Sequence, residues 1–60
     1  MNITVDGTVY PLCQLSFAQL GDLKKLVYER LHQADAEGDS NTAWSMLNAL
    51  YHISEHIWNL

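Results

Sequence analysis

The sequence predicts an α+β fold of ββαα order: an N-terminal two-stranded β-hairpin followed by an antiparallel two-helix hairpin. Three observations carry that prediction. Asp6-Gly7 lies between two short runs rich in β-branched residues, Ser16 and Gln19 have capping-box spacing ahead of an apolar repeat of three and four, and Gly38 separates that repeat from a second one. Sixty residues accommodate one domain, 1–60, and at this size a single core is marginal in stability, so a metal, a partner or self-association is a natural supplement. The one cysteine, Cys13, excludes an intramolecular disulfide. Its apolar neighbours Leu12 and Leu15 predict a small buried hydrophobe in a reducing compartment, hence the cytoplasm.

The hairpin is expected over about 2–10. A two-residue turn at Asp6-Gly7 would pair Val5 with Thr8 and Ile3 with Tyr10, placing Ile3, Val5 and Tyr10 over the helices. A three-residue loop would oppose Val5 to Val9, and the sequence leaves both registers open. Pro11, with no amide donor, ends the ladder. Leu12 to Leu15 reads as a short extended link.

The first helix is expected over about 17–36, with Leu15 and Leu20 in the staple positions around the Ser16 cap. Leu20, Leu23, Val27, Leu31 and Ala34 form its buried stripe, and Lys25, Glu29, His32 and Gln33 its polar side. Gly21 inside it costs roughly 1 kcal/mol relative to Ala, unless something packs closely there. Gly38 supplies the left-handed stop, and Asp39 or Ser40 caps a second helix over about 40–59. So short a connection makes the helices antiparallel neighbours.

The second helix carries two adjoining apolar stripes. Met46, Leu50, Ile53, Ile57 and Leu60 form one; Ala43, Leu47, Tyr51 and Trp58, with Trp44, form the other. At about 100° per residue they span an arc of roughly 200°, about twice what one helix neighbour buries. Trp44, Tyr51 and Trp58 are spaced seven and seven, an aromatic ridge along one flank. One reading covers the ridge with the hairpin and makes it core. The other makes Trp44, Met46, Leu47, Tyr51 and Trp58 a partner-binding surface, or the seam of a homodimer built as a four-helix arrangement.

Several chemistries are disfavoured. Three Lys plus Arg against seven Asp plus Glu give a formal net charge of −4, and the second helix has no Arg or Lys to hold phosphates, so nucleic acid is not an expected partner. No basic leader or long apolar run predicts export or a membrane span. The three glycines are isolated, so no phosphate loop is formed. His52, Glu55 and His56 spell H-x-x-E-H, which inverted-motif zinc peptidases place on a helix. Only four residues follow His56, and a third ligand and a cleft are missing, so His52 and His56 are at most weak metal candidates on a solvated polar face with Asn59. No catalytic residue and no cofactor is expected. Asp35, Glu37 and Asp39 lack the frame of a calcium loop and serve instead as carboxylates near a helix start.

In size, acidity, the brevity of its Asn2–Tyr10 hairpin opening and the absence of a diagnostic motif, the chain resembles the small early or accessory proteins of bacteriophages and prophages. That resemblance implies a protein that works in the host cytoplasm by binding a host or phage protein. The expected function is thus a small non-catalytic protein-interaction module, with a structural homo-oligomer as the second reading and a metal site at His52 and His56 as a remote third.

Overall fold

The computed structural model describes all 60 residues and has the ββαα order. Strand β1 (Asn2–Val5) pairs antiparallel with β2 (Thr8–Pro11), followed by a single 3₁₀ turn (Leu12–Gln14), helix α1 (Phe17–Glu37) and helix α2 (Ser40–Trp58). The partners are Asn2 with Pro11, Ile3 with Tyr10, Thr4 with Val9 and Val5 with Thr8. This is the two-residue register. It requires positive φ at both turn positions, and Asp6 (φ 51°) and Gly7 (φ 82°) supply it. Such a turn has the right-handed twist of the strands it joins. Ile3 and Val5 consequently point into the core while Val9 is left outside.

The segment after Pro11 corrects two expectations. Leu12–Gln14 is a 3₁₀ turn rather than an extended link, and Cys13 is exposed rather than buried. At three residues per turn, successive side chains diverge by about 120°. Leu12 is buried completely and Cys13 is therefore turned outward. The Leu12 amide donates to the Met1 carbonyl at 3.0 Å, fixing where the chain leaves the hairpin.

Helix α1 begins at a reciprocal capping box. The Gln19 amide donates to Ser16 Oγ at 3.2 Å, and the Ser16 amide to Gln19 Oε1 at 2.8 Å. Leu20 is buried and Leu15 packs at the core edge, as the staple requires. Gly21 lies within the helix, yet no atom lies within 4 Å of where its Cβ would be. Close packing therefore does not account for this glycine.

The helix ends in a Schellman motif at Gly38 (φ 73°), with Asp39 N–H bonded to the Ala34 carbonyl at 2.9 Å and Gly38 N–H to the Asp35 carbonyl at 3.2 Å. Asp39 then caps α2, accepting from the Thr42 hydroxyl at 2.6 Å and the Thr42 amide at 3.2 Å. These two bonds, the hydroxyl's first, hold the Asp39 carboxyl below its ordinary pKa.

One core cluster joins β1, the 3₁₀ turn and both helices: Ile3 and Val5 from β1, Leu12 from the turn, Leu20, Leu23 and Val27 from α1, and Met46, Ala49, Leu50 and Ile53 from α2, with Tyr10 of β2 packed at its edge. Every buried residue is apolar. Outside the core, Arg30 Nε donates to Asp6 Oδ1 at 2.9 Å, tying the hairpin turn to α1 and raising the guanidinium pKa through that bond.

Candidate interaction surface

The capping pair at Asp39 and Thr42 sets the starting angle of α2, and with it the direction of every later side chain. Met46, Ala49, Leu50 and Ile53 face α1 and β1. The flank on the hairpin side is the polar one. Ser45, Asn48, Ala49 and His52 form a shallow groove with Met1, Asn2, Ile3 and Thr4, so His52, expected on a solvated face, lies along β1 and is half-buried. The opposite flank holds the aromatic ridge and receives no strand.

The ridge is therefore not core. Trp44 is 70 % exposed, Leu47 45 %, Tyr51 63 % and Trp58 88 %. Two residues depart from the sequence reading. Met46, expected among the partner-binding residues, is 4 % exposed and belongs to the core, because it lies on the α1-facing arc with Leu50 and Ile53. Leu60, expected to continue the apolar stripe of Met46, Leu50 and Ile53, is exposed because α2 stops at Trp58 and the last residue leaves the helical track.

Beside the ridge, at the end of the helix pair near its turn, Leu31 and Ala34 of α1 and Ala43, Trp44 and Leu47 of α2 line an open groove, rimmed by Asp35 and Asp39. The two alanines make its floor low, since neither side chain fills the seam between helices. Sequence periodicity assigned Leu31 and Ala34 to the buried stripe of α1 but not to a groove. Counting both helices outward from Gly38 brings Ala34 level with Ala43, and Leu31 level with Met46 and Leu47, and would have revealed it. On α1, Phe17 and Tyr28 are further exposed aromatics, and Tyr28 stacks on His32 one turn later at a centroid distance of 6.3 Å.

The ridge has little competing electrostatics. From Ser40 to Trp58 the only acidic or basic residue apart from histidine is Glu55, which borders the ridge on its polar-flank edge, four residues after Tyr51 and three before Trp58. As for His52 and His56, they lie one turn apart, but the structure brings no group of three or more His, Cys, Asp or Glu side chains together to hold a metal ion. The His52 and Tyr51 rings instead pack in a T-shaped pair, with centroids 5.7 Å apart. No helix is long and apolar enough to cross a membrane.

Comparison with protein-family models, with curated proteins and with solved structures returns no match.

Proposed function

We propose that this chain is a small non-catalytic protein-interaction module whose docking surface is the α2 ridge of Trp44, Leu47, Tyr51 and Trp58. The observation that carries the reading is the exposure of these four residues in a chain whose core is assembled without them. Contiguous exposed apolar area of this kind on a soluble domain marks an interaction site, and Trp and Tyr dominate binding hot spots because they bring large rigid area at low entropic cost. The fully apolar interior supports binding rather than catalysis, since no titratable side chain is fully buried. In this reading the resemblance to bacteriophage and prophage accessory proteins supplies the setting: a short acidic protein acting in the host cytoplasm by docking on another protein.

The test is face-selective photocrosslinking in the cells that produce the chain. A benzophenone side chain placed at position 44 or 58 should give covalent protein adducts, and one at Glu29 or Gln33, exposed on α1, should not. Adducts that form equally at all four positions, or at none, would refute a docking role for the ridge.

A further inference from the structure

We infer that the occupant of the ridge is a second copy of this chain, docked with the two α2 helices antiparallel about a two-fold axis at Tyr51. The inference rests on reading the ridge as a docking surface and names what docks there. Four observations lead to it.

The first is the internal symmetry of the ridge. Trp44 and Trp58 lie seven residues to either side of Tyr51, about 10 Å each way along the helix. A two-fold axis at Tyr51 sets Trp44 of each copy opposite Trp58 of the other, which is the self-complementarity an isologous interface requires.

The second is shape. Trp58, at 88 % exposure, is the most exposed of the large apolar side chains. The groove of Leu31, Ala34, Ala43 and Leu47 lies at the level of Trp44. The same axis therefore brings each Trp58 to the partner's groove, two knobs into two holes.

The third is charge. Each copy is formally −4, and the one carboxylate beside the ridge is Glu55, four residues from the axis at Tyr51; antiparallel docking staggers its two copies by about 12 Å along the helices, whereas parallel docking would set them opposite each other. Antiparallel docking also sends the two acidic turns, Asp35, Glu37 and Asp39, to opposite ends of the pair, whereas parallel docking would stack them on each other.

The fourth is area. At the sizes of these side chains, the exposed parts of Trp44, Leu47, Tyr51 and Trp58 amount to about 600 Å² per copy. Two copies would cover about 1,200 Å², the lower bound for a specific, stable interface. In the resulting assembly the β-hairpins, packed on the other flank of α2, do not obstruct the seam.

Sedimentation equilibrium tests this on the full chain carrying Cys13→Ser, because the exposed Cys13 thiol could link copies by a disulfide. The parent should dimerise, and Trp58→Ala should raise the dissociation constant about thirtyfold or more, the hot-spot threshold. Trp44→Glu and Trp58→Lys should each give a monomer with unchanged helical circular dichroism. Mixed one to one, the two should recover the dimer. In the antiparallel heterodimer the new carboxylate faces the new ammonium, and the remaining Trp58 of one chain faces the remaining Trp44 of the other. A parallel pairing has no such rescue. The inference is overturned by a parent still monomeric at about 1 mM, by a dimer that survives Trp58→Lys, or by a mixture that stays monomeric. Ridge-specific crosslinks to a different protein, from a monomeric parent, would reject self-docking while leaving the ridge a docking surface. Absence of ridge-specific crosslinks would reject that reading itself.

Discussion

Along one side of α2, Met46, Ala49, Leu50 and Ile53 are enclosed by α1, Leu12 and β1; along the other, Trp44, Leu47, Tyr51 and Trp58 stand in solvent. Both sides are apolar in sequence. What separates them is the reach of the hairpin. Two strands of four residues each make a sheet two chains wide, with strands about 4.8 Å apart, enough to close the seam on one flank and no more. The covered side is built from Met, Ala, Leu and Ile, which interdigitate at low volume, and the uncovered side from three larger aromatic residues with Leu47 among them. Hydrophobicity alone thus does not mark a residue as core. The capping geometry at Ser16 and Asp39 and the 3₁₀ turn at Leu12–Gln14 decide which flank the hairpin reaches.

Single substitutions should separate the two sides by their effect on stability. Ile53→Ala empties a fully buried position and should destabilise by about 2–5 kcal/mol, a large part of what a domain of this length possesses. Urea unfolding followed by circular dichroism would measure it, and a loss below about 1 kcal/mol would place Ile53 outside a tightly packed core. A smaller change of opposite sign is expected on α1. Gly21→Ala meets no neighbour within 4 Å and should stabilise by about 0.5–1 kcal/mol, through a less flexible unfolded chain and better helix propensity. It sharpens the comparison by raising the stability of the shared scaffold without touching either side of α2. A destabilised variant would mean that the helix approaches another surface there.

The smallest effect concerns pH. The folded-state pKa of Asp39 is depressed by its bonds from Thr42, so the cap's contribution is fully present above the ordinary carboxylate pKa and is lost as pH falls through the depressed value. Asp39→Asn should therefore flatten the acid limb of the stability profile while leaving its neutral limb nearly unchanged in shape. An acid limb identical to the parent's would mean that the Thr42 bonds do not favour the ionised form.

Much of the fold was legible because its signals are local. The Ser16–Gln19 capping box, the Gly38 stop and the Asp6-Gly7 turn each specify a backbone conformation within four residues, and helix starts and ends follow from them. What was not legible depends on contacts between distant segments. The hairpin register was open because Val5 can face either Thr8 or Val9 until the turn dihedrals are known. Cys13 was misplaced because its apolar neighbours say nothing about a 3₁₀ turn that buries Leu12 and expels the next residue. The ion pair of Asp6 with Arg30, 24 residues apart, has no sequence signature. For the candidate surface, spacing identified the ridge and its width required a second covering surface, but periodicity could not say whether this chain provides it. Met46 was drawn into the surface because it borders the ridge in sequence, although it faces α1.

The most direct measurement is the unfolding free energy of a Trp44→Ala/Trp58→Ala double variant, taken in urea at a concentration low enough for the chain to be monomeric. An exposed docking ridge predicts a value within about 0.5 kcal/mol of the parent for each substitution. A loss of about 3 kcal/mol or more, the cost of removing a buried Trp side chain, would show that the ridge is part of the core and that no docking surface exists there.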